Sequence, residues 1–477
     1  MVTGARRKRH DSSTVQAAVA AGHPATVEAG VEVLADGGSA ADAAVAGCLA
    51  SCVGETVMTG LLGGGHGIYF DASTQRARNL DCFVAVPGLS AEPRTEVELV
   101  ELEVPFGTEL VHYAVGIASC GVPGVPAGLE ALHRAHGRLP WPRLVEPALR
   151  LARDGVDFPR AHAACLAMLA PVMTMNEGAR IYSPGGKLLP AGARLEQPGL
   201  VPALQLLAEE GPRSVYDRSL ARALLELMDE RGGLVTSADL AAYEAHWSEP
   251  AACRYLETQV LTRAGLAPVG PALAALPRLH QLTPGERAIA LARTLEASDS
   301  GGDTTNLAVV DREGNACVLT TSLGLGSGDF LPGLDLHLNS MLGEADLIRA
   351  PLVPGERMSS MMSPLLALDA DGLTIAAGAA GGTRLRSALV QVLAGILDEG
   401  LAPEEAVSRP RLHPAGGLVQ LEPGVEDDVP GALVAAGYEL RRWPAQHHYF
   451  GGVSVVTRIG AAGDPRRSGA AASLPPG

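Results

Sequence analysis

Aromatic side chains are scarce in this chain, at 4% of its 477 residues, although hydrophobic residues reach 47%. Alanine, valine and leucine must therefore fill the interior, and side chains that small suit helices and sheets stacked in close layers. Positive charge is also in deficit: 37 Lys and Arg stand against 53 Asp and Glu, a formal charge of −16. A nucleic-acid-binding surface needs the opposite balance, so no such partner is expected. The one strongly basic run, Arg6-Arg7-Lys8-Arg9-His10, falls within residues 1–14, which read as a disordered tail. The seven cysteines are scattered, with no Cys-x-x-Cys pair, which predicts reduced thiols and a cytoplasmic setting. Residues 2–14 lack the apolar core of a secretion signal, and no apolar run is long enough for a membrane span, so no membrane partner is expected. Neither a metal nor another cofactor is indicated. His447 and His448 are adjacent in a loop, where an extended backbone would point their rings apart.

Residues 15–51 are Ala-rich and read as helix, interrupted at Gly22-His23-Pro24 and Gly37-Gly38-Ser39. Ser39 is set to cap the second helix with Asp42 as its capping-box partner. A glycine run, Gly63 to Gly67 around His66, leads into an Ile68-Tyr69-Phe70-Asp71 strand. Phosphate-binding glycine loops follow a strand and open a helix, so this order argues against one. Helices fit 124–154, 200–230 and 384–399, and 266–300 shows little strand character. Leu307 to Val310 and Ala316 to Ser322 read as a β-hairpin whose turn uses Gly314, and further strands fit 364–369 and 373–377. The Gly-, Ala- and Pro-rich end, beyond about residue 460, reads as a fraying tail.

Taken alone, Thr304-Thr305 is a β-branched pair opening the first hairpin strand. Its surroundings say more. Gly302-Asp303-Thr304-Thr305-Asn306-Leu307-Ala308-Val309-Val310-Asp311, continued by Gly314-Asn315-Ala316, resembles the start of the small subunit of γ-glutamyltransferases. Gly22-His23-Pro24, Gly37 to Ala44 and Gly63-Gly64-Gly65 resemble that family's N-terminal signature. Gly121-Val122-Pro123-Gly124, Gly137 to Trp141, Asp239-Leu240 and Tyr243 resemble later blocks. Pro354 to Arg357, Ser363-Pro364, Gly381-Gly382-Thr383-Arg384 and Pro410 to His413 complete the series in family order, over roughly residues 15–467.

The resemblance implies an N-terminal-nucleophile hydrolase: a four-layer αββα sandwich in the α/β (α+β) class, with no cofactor. It implies a precursor that cuts itself between Asp303 and Thr304. Residues 15–303 and 304–477 would then remain associated as two fragments of one intertwined domain. Thr304 is the implied nucleophile, activated by its own freed α-amine, whose ordinary pKa is about 8. Gly381 and Gly382 hold the family's positions for an oxyanion hole, and Ser322 the position of a hydroxyl bonded to the nucleophile. The implied partner is a small-molecule acyl substrate.

The substrate-contacting positions depart from the family. Phe83 replaces the arginine that clamps the glutamyl α-carboxylate, and an aromatic ring cannot make that charge-assisted bidentate contact. Gly324 replaces an asparagine. Ser360-Met361-Met362-Ser363-Pro364 replaces a double-serine motif and loses one hydroxyl. Asn339 is kept, while Glu344 either stands in for an aspartate that holds the α-amine or is a surface glutamate. Residues 251–300 are shorter than the family's matching stretch. The catalytic positions are kept and the glutamyl contacts are lost. That pattern leaves three readings: an amidase or acyltransferase of altered acyl specificity, a hydrolase of a carbon–carbon bond in a keto-acid side chain from a natural-product pathway, or an inactive binding protein on the same scaffold.

Overall fold

The computed structural model describes residues 17–90, 97–106, 109–266, 268–296, 304–382 and 384–475. Thirteen strands build its two central sheets: β1 Ala18–Ala21, β2 Gly64–Asp71, β3 Arg76–Cys82, β4 His246–Ser248, β5 Ala251–Tyr255, β6 Thr258–Thr262, β7 Thr305–Val310, β8 Ala316–Ser322, β9 Leu365–Asp369, β10 Gly372–Ala380, β11 Gly452–Thr457, β12 Gly460–Gly463 and β13 Ala470–Ser473. One sheet has the order β13-β1-β7-β8-β2-β3-β4, the other β12-β11-β10-β9-β6-β5. Neighbours in both are antiparallel.

Alternation along the strands makes the layers. In β7, Ala308 and Val310 face the second sheet and pack with Val318, Ile68 and Phe70 against Leu366, Leu373, Ala376 and Val456. Leu307 and Val309 face the other way, onto α1 (Pro24–Ala35) and α2 (Ala40–Gly54). Every residue of α2 is buried. Its run of Ala, Gly, Ser and Cys lets the helix lie close to the sheet on one side and to the Trp141–Asp154 helix on the other. Ser39 and Asp42 form the expected capping box at its start. On the outer face of the second sheet, Leu365, Ile375, Ala377 and Val455 pack under the helix Arg384–Leu397. The molecule is thus a helix–sheet–sheet–helix sandwich.

Two expectations are corrected. Ala18–Ala21 is a strand rather than helix: it lies between β7 and β13 and makes ladder bonds to both, which overrides alanine's helical preference. Beyond residue 460 the chain does not fray among the described residues. It supplies β12, an edge of the second sheet, and β13, an edge of the first. Residues 1–14, Asp303 and Thr383 lie outside the described residues.

Candidate active site

Thr304 immediately precedes β7, close to the middle of the seven-stranded sheet. The ladder pairs Thr305 with Thr321, Ser322 with Gly64, and Gly65 with Cys82. One residue further toward the same sheet end, Thr304, Ser322, Gly64 and Phe83 fall in a single row. Gly64 lies so close under the Phe83 backbone that an added Cβ would stand 3.0 Å from Phe83 Cα. All four residues are buried.

Above this row stands the end of β10. The Gly381 N–H donates a hydrogen bond to Thr304 Oγ1 at 3.1 Å. Gly381 has φ +127° and Gly382 φ +58°, values that disfavour side chains. A Cβ on Gly381 would also approach Gly451 Cα to 2.7 Å. The two glycines lead directly into the Arg384–Leu397 helix, whose positive N-terminal end therefore lies on the side of the threonine hydroxyl. Ser322 Oγ accepts from the Gly324 N–H at 2.8 Å, which fixes the strand's exit beside Thr304.

Behind the row is a buried carboxyl that sequence reasoning missed. Glu55, just after α2, accepts from Thr26 Oγ1 at 2.7 Å and from Thr305 Oγ1, and so grips the residue next to Thr304. Burial raises its pKa to about 7, outweighing the hydroxyl bonds and the nearby Arg467, which pull it down. Gly22 makes this pairing possible, since a Cβ there would come within 2.5 Å of Glu55 Oε2. Arg467 is buried on the same side, with Nη1 3.4 Å from Met58 Sδ and Nη2 3.3 Å from where a Gly381 Cβ would be. The sequence signal for Glu55 was an acidic residue closing an Ala-rich helix whose other acidic residue, Asp42, is spent on its capping box.

The expected substrate contacts divide into groups. Phe83 and Met361 share one apolar cluster with Met341, Met358 and Met362. The Phe83 carbonyl accepts from Tyr243 Oη at 2.6 Å, and its ring stacks on His66 with centroids 5.3 Å apart. Ser360 Oγ accepts from the Met362 N–H, and its carbonyl accepts from Arg263 Nη1. Asn339 is committed to main chain: Nδ2 donates to the carbonyls of Leu62 and Gly121, and Oδ1 accepts from the N–H of Gly121 and of Met341. Glu344 is not a surface residue, being 2% exposed. Its Oε1 lies 2.1 Å from where a Gly324 Cβ would stand, so the missing side chain at 324 makes room for it. The His447 and His448 rings do not point apart. His448 opens a short 3-10 turn rather than continuing an extended chain, and the centroids are 4.0 Å apart.

The γ-glutamyltranspeptidase family model matches residues 26–284 and 279–474. This chain belongs to that family. Among curated relatives, the acylase ACY 1 proenzyme of Pseudomonas sp. (strain V22) is 28% identical over 92% of this chain and 89% of its own length. The glutathione hydrolase proenzyme of Bacillus subtilis (strain 168) is 24% identical over 96% and 91%. Among solved structures, cephalosporin acylase from Bacillus halodurans superposes over the full length of both chains with TM-score 0.81 and 22% identity, a likeness of fold. The protein is therefore an enzyme of the hydrolase and acyltransferase kind with an N-terminal-nucleophile fold, and its chemistry is consistent with amide hydrolysis.

Proposed function

We propose that the chain is a self-processing amidohydrolase whose nucleophile is Thr304. The observation that carries this reading is the 3.1 Å bond from the Gly381 N–H to Thr304 Oγ1 at the end of a buried sheet row. In the first step Thr304 Oγ1 attacks the Asp303 carbonyl and the peptide nitrogen leaves as the α-amine of Thr304. Water then cleaves the resulting ester, leaving Asp303 as a free carboxylate. The freed amine, with an ordinary pKa of about 8, takes the hydroxyl proton when Thr304 attacks a substrate amide. The substrate amine departs with that proton, and water releases the acyl group. Donors at Gly381 and Gly382 stabilise the oxyanion, where one such bond is worth about 3 kcal/mol. Relatives described as proenzymes support processing, and those described as acylases support an acyl group other than a free glutamyl head. The Phe83–methionine cluster supports the same change, because it fills the family's clamp position with apolar atoms. Among the described residues, no contact in the site favours a carbon–carbon bond as the target over an amide.

The test is to quench the enzyme during turnover of a slowly hydrolysed acyl ester and map the adduct by peptide mass. The expected adduct lies on the peptide that begins with Thr304. An adduct on another residue, or turnover surviving in Thr304→Ala, overturns the proposal.

A further inference from the structure

β1 stops pairing with β7 at Ala21, opposite Leu307. The two residues of β7 next to Thr304, Thr305 and Asn306, therefore have a ladder neighbour on the β8 side alone among the described residues. A strand end with one neighbour needs other groups to fix it, and a misplacement of about 1 Å at a nucleophile costs roughly a hundredfold in rate.

The fixing groups come from one short turn directly after α2. Glu55 accepts from Thr305 Oγ1 on β7. The hydroxyls of Thr59 and Thr321 share a hydrogen bond of 2.8 Å, and Thr321 lies opposite Thr305 on β8. The Met58 carbonyl accepts from the Leu323 N–H at 3.4 Å. The turn thus fastens the residue after Thr304 and the residues on both sides of Ser322. The N–H groups of Met58 and Thr59 close it by donating to the Glu55 carbonyl, and Thr26 on α1 braces the Glu55 carboxyl. Glu55, Thr59, Thr305 and Thr321 are all buried. Gly22 lets Glu55 through, since a Cβ there would stand 2.5 Å from Glu55 Oε2 and 2.9 Å from Thr305 Oγ1.

Thr59 shows that a hydroxyl is enough to fasten a strand, so the carboxyl at 55 brings something more, a charge. Arg467, from the turn before β13, is a cation that acts on it. Asp464 lines the same small cavity but is paired with Arg411 and Arg466. Cys52 is its titratable neighbour on α2, while α1 and β7 touch it with hydroxyls.

We propose that the turn from Glu55 to Thr59 sets the nucleophile in place and that Glu55 is a positioning residue for Thr304, acting through the Thr305 hydroxyl and, by its charge, on the Thr304 amine. The path from Glu55 across Thr305 to that amine is ~7 Å at ordinary bond lengths. A carboxylate there favours the ammonium form, and so raises the amine's pKa by about one to two units at an effective dielectric of about 20. Glu55 is ionised where the amine titrates, because its own pKa of about 7 lies lower and the ammonium draws it lower still. This inference rests on Thr304 being the nucleophile, and the experiment separates the two claims.

The amine is titrated by methyl NMR of processed enzyme labelled with 13C-threonine, the Thr304 signal being assigned by its loss in Thr304→Ser. The expected result is an amine step in Glu55→Gln about one to two pH units below that of wild type. A purely structural glutamate would not move it. In parallel, self-cleavage of freshly made precursor is followed on gels. Thr305→Val should slow it at least tenfold and Thr305→Ser should restore it, with circular dichroism reporting that each variant folds. An amine step that stays in place in Glu55→Gln, or a folded Thr305→Val that processes at the wild-type rate, overturns the role of Glu55 and leaves the nucleophile standing. Wild type that stays uncleaved overturns both.

Discussion

Glu55→Gln should abolish a pH dependence of stability that arises at the centre of the molecule. The carboxyl is buried, and its pKa is raised from 4.5 to about 7. In the unfolded chain the same group loses its proton near 4.5. Between those values the folded state holds a proton that the unfolded state has released, so stability falls as pH rises through the window. Below 4.5 both states are protonated and no penalty exists. Above 7 both are ionised and the penalty is complete. A shift of roughly 2.5 units at 1.36 kcal/mol per unit makes it about 3 kcal/mol. Glutamine keeps the shape and cannot ionise. It loses little at pH 4.5, since the Thr26 and Thr305 hydroxyls can turn to accept from its amide. It should gain about 3 kcal/mol relative to wild type at pH 8, or ~3 °C in Tm for a chain of this size. The assay is thermal unfolding by circular dichroism at both pH values, with both proteins in a Thr304→Ala background so that the chain stays whole. Wild type and variant curves that move in parallel with pH would show that Glu55 does not carry the shift.

Other substitutions test the geometry. Gly381→Ala places a methyl group 2.7 Å from Gly451 Cα at φ +127°, so it should cut kcat by about a hundredfold or more, measured on any turned-over amide. Phe83→Arg should not create γ-glutamyltransferase activity with γ-glutamyl-p-nitroanilide. The new guanidinium would be buried among methionines, with Arg263 and Arg357 already around the neighbouring His66 and Asp81. Leu307→Ala empties a buried site between β7 and α2 and should cost about 2–5 kcal/mol by denaturant unfolding. Gly324→Asn should be destabilising alone and partly rescued by Glu344→Gly, which clears the 2.1 Å clash, as a double-mutant cycle would read out.

Local signals in the sequence carried a good part of this architecture. The hairpin of β7 and β8 follows from the composition of two short strands around Gly314, which has φ +83°. The Ser39–Asp42 capping box and the Arg384–Leu397 helix are likewise local matters of spacing. The strands β1, β12 and β13 were not legible, because alanine and glycine prefer no strand on their own and take this one from the neighbours they pair with. The candidate site divides in the same way. Thr304 and Gly381 could be named from separate motifs, and they lie within one hydrogen bond. Glu55, His66 and Arg263 could not. Their environments arise from pairings across many residues: Glu55 with Thr305, His66 with Thr320, and Arg263 with the carbonyls of Ser360 and Met362. The same holds for Gly324 and Glu344, which look like two independent losses in the sequence and form one compensated contact in space.

On the proposed mechanism, Thr304 acts with a free amine that it creates itself. Intact mass and denaturing gel analysis of purified wild type beside Thr304→Ala tests it most directly. Wild type should separate into residues 1–303 and 304–477 while the variant remains a single 49.0 kDa chain. A folded wild-type protein that stays at 49.0 kDa, or one cut at another bond in both proteins, would contradict it.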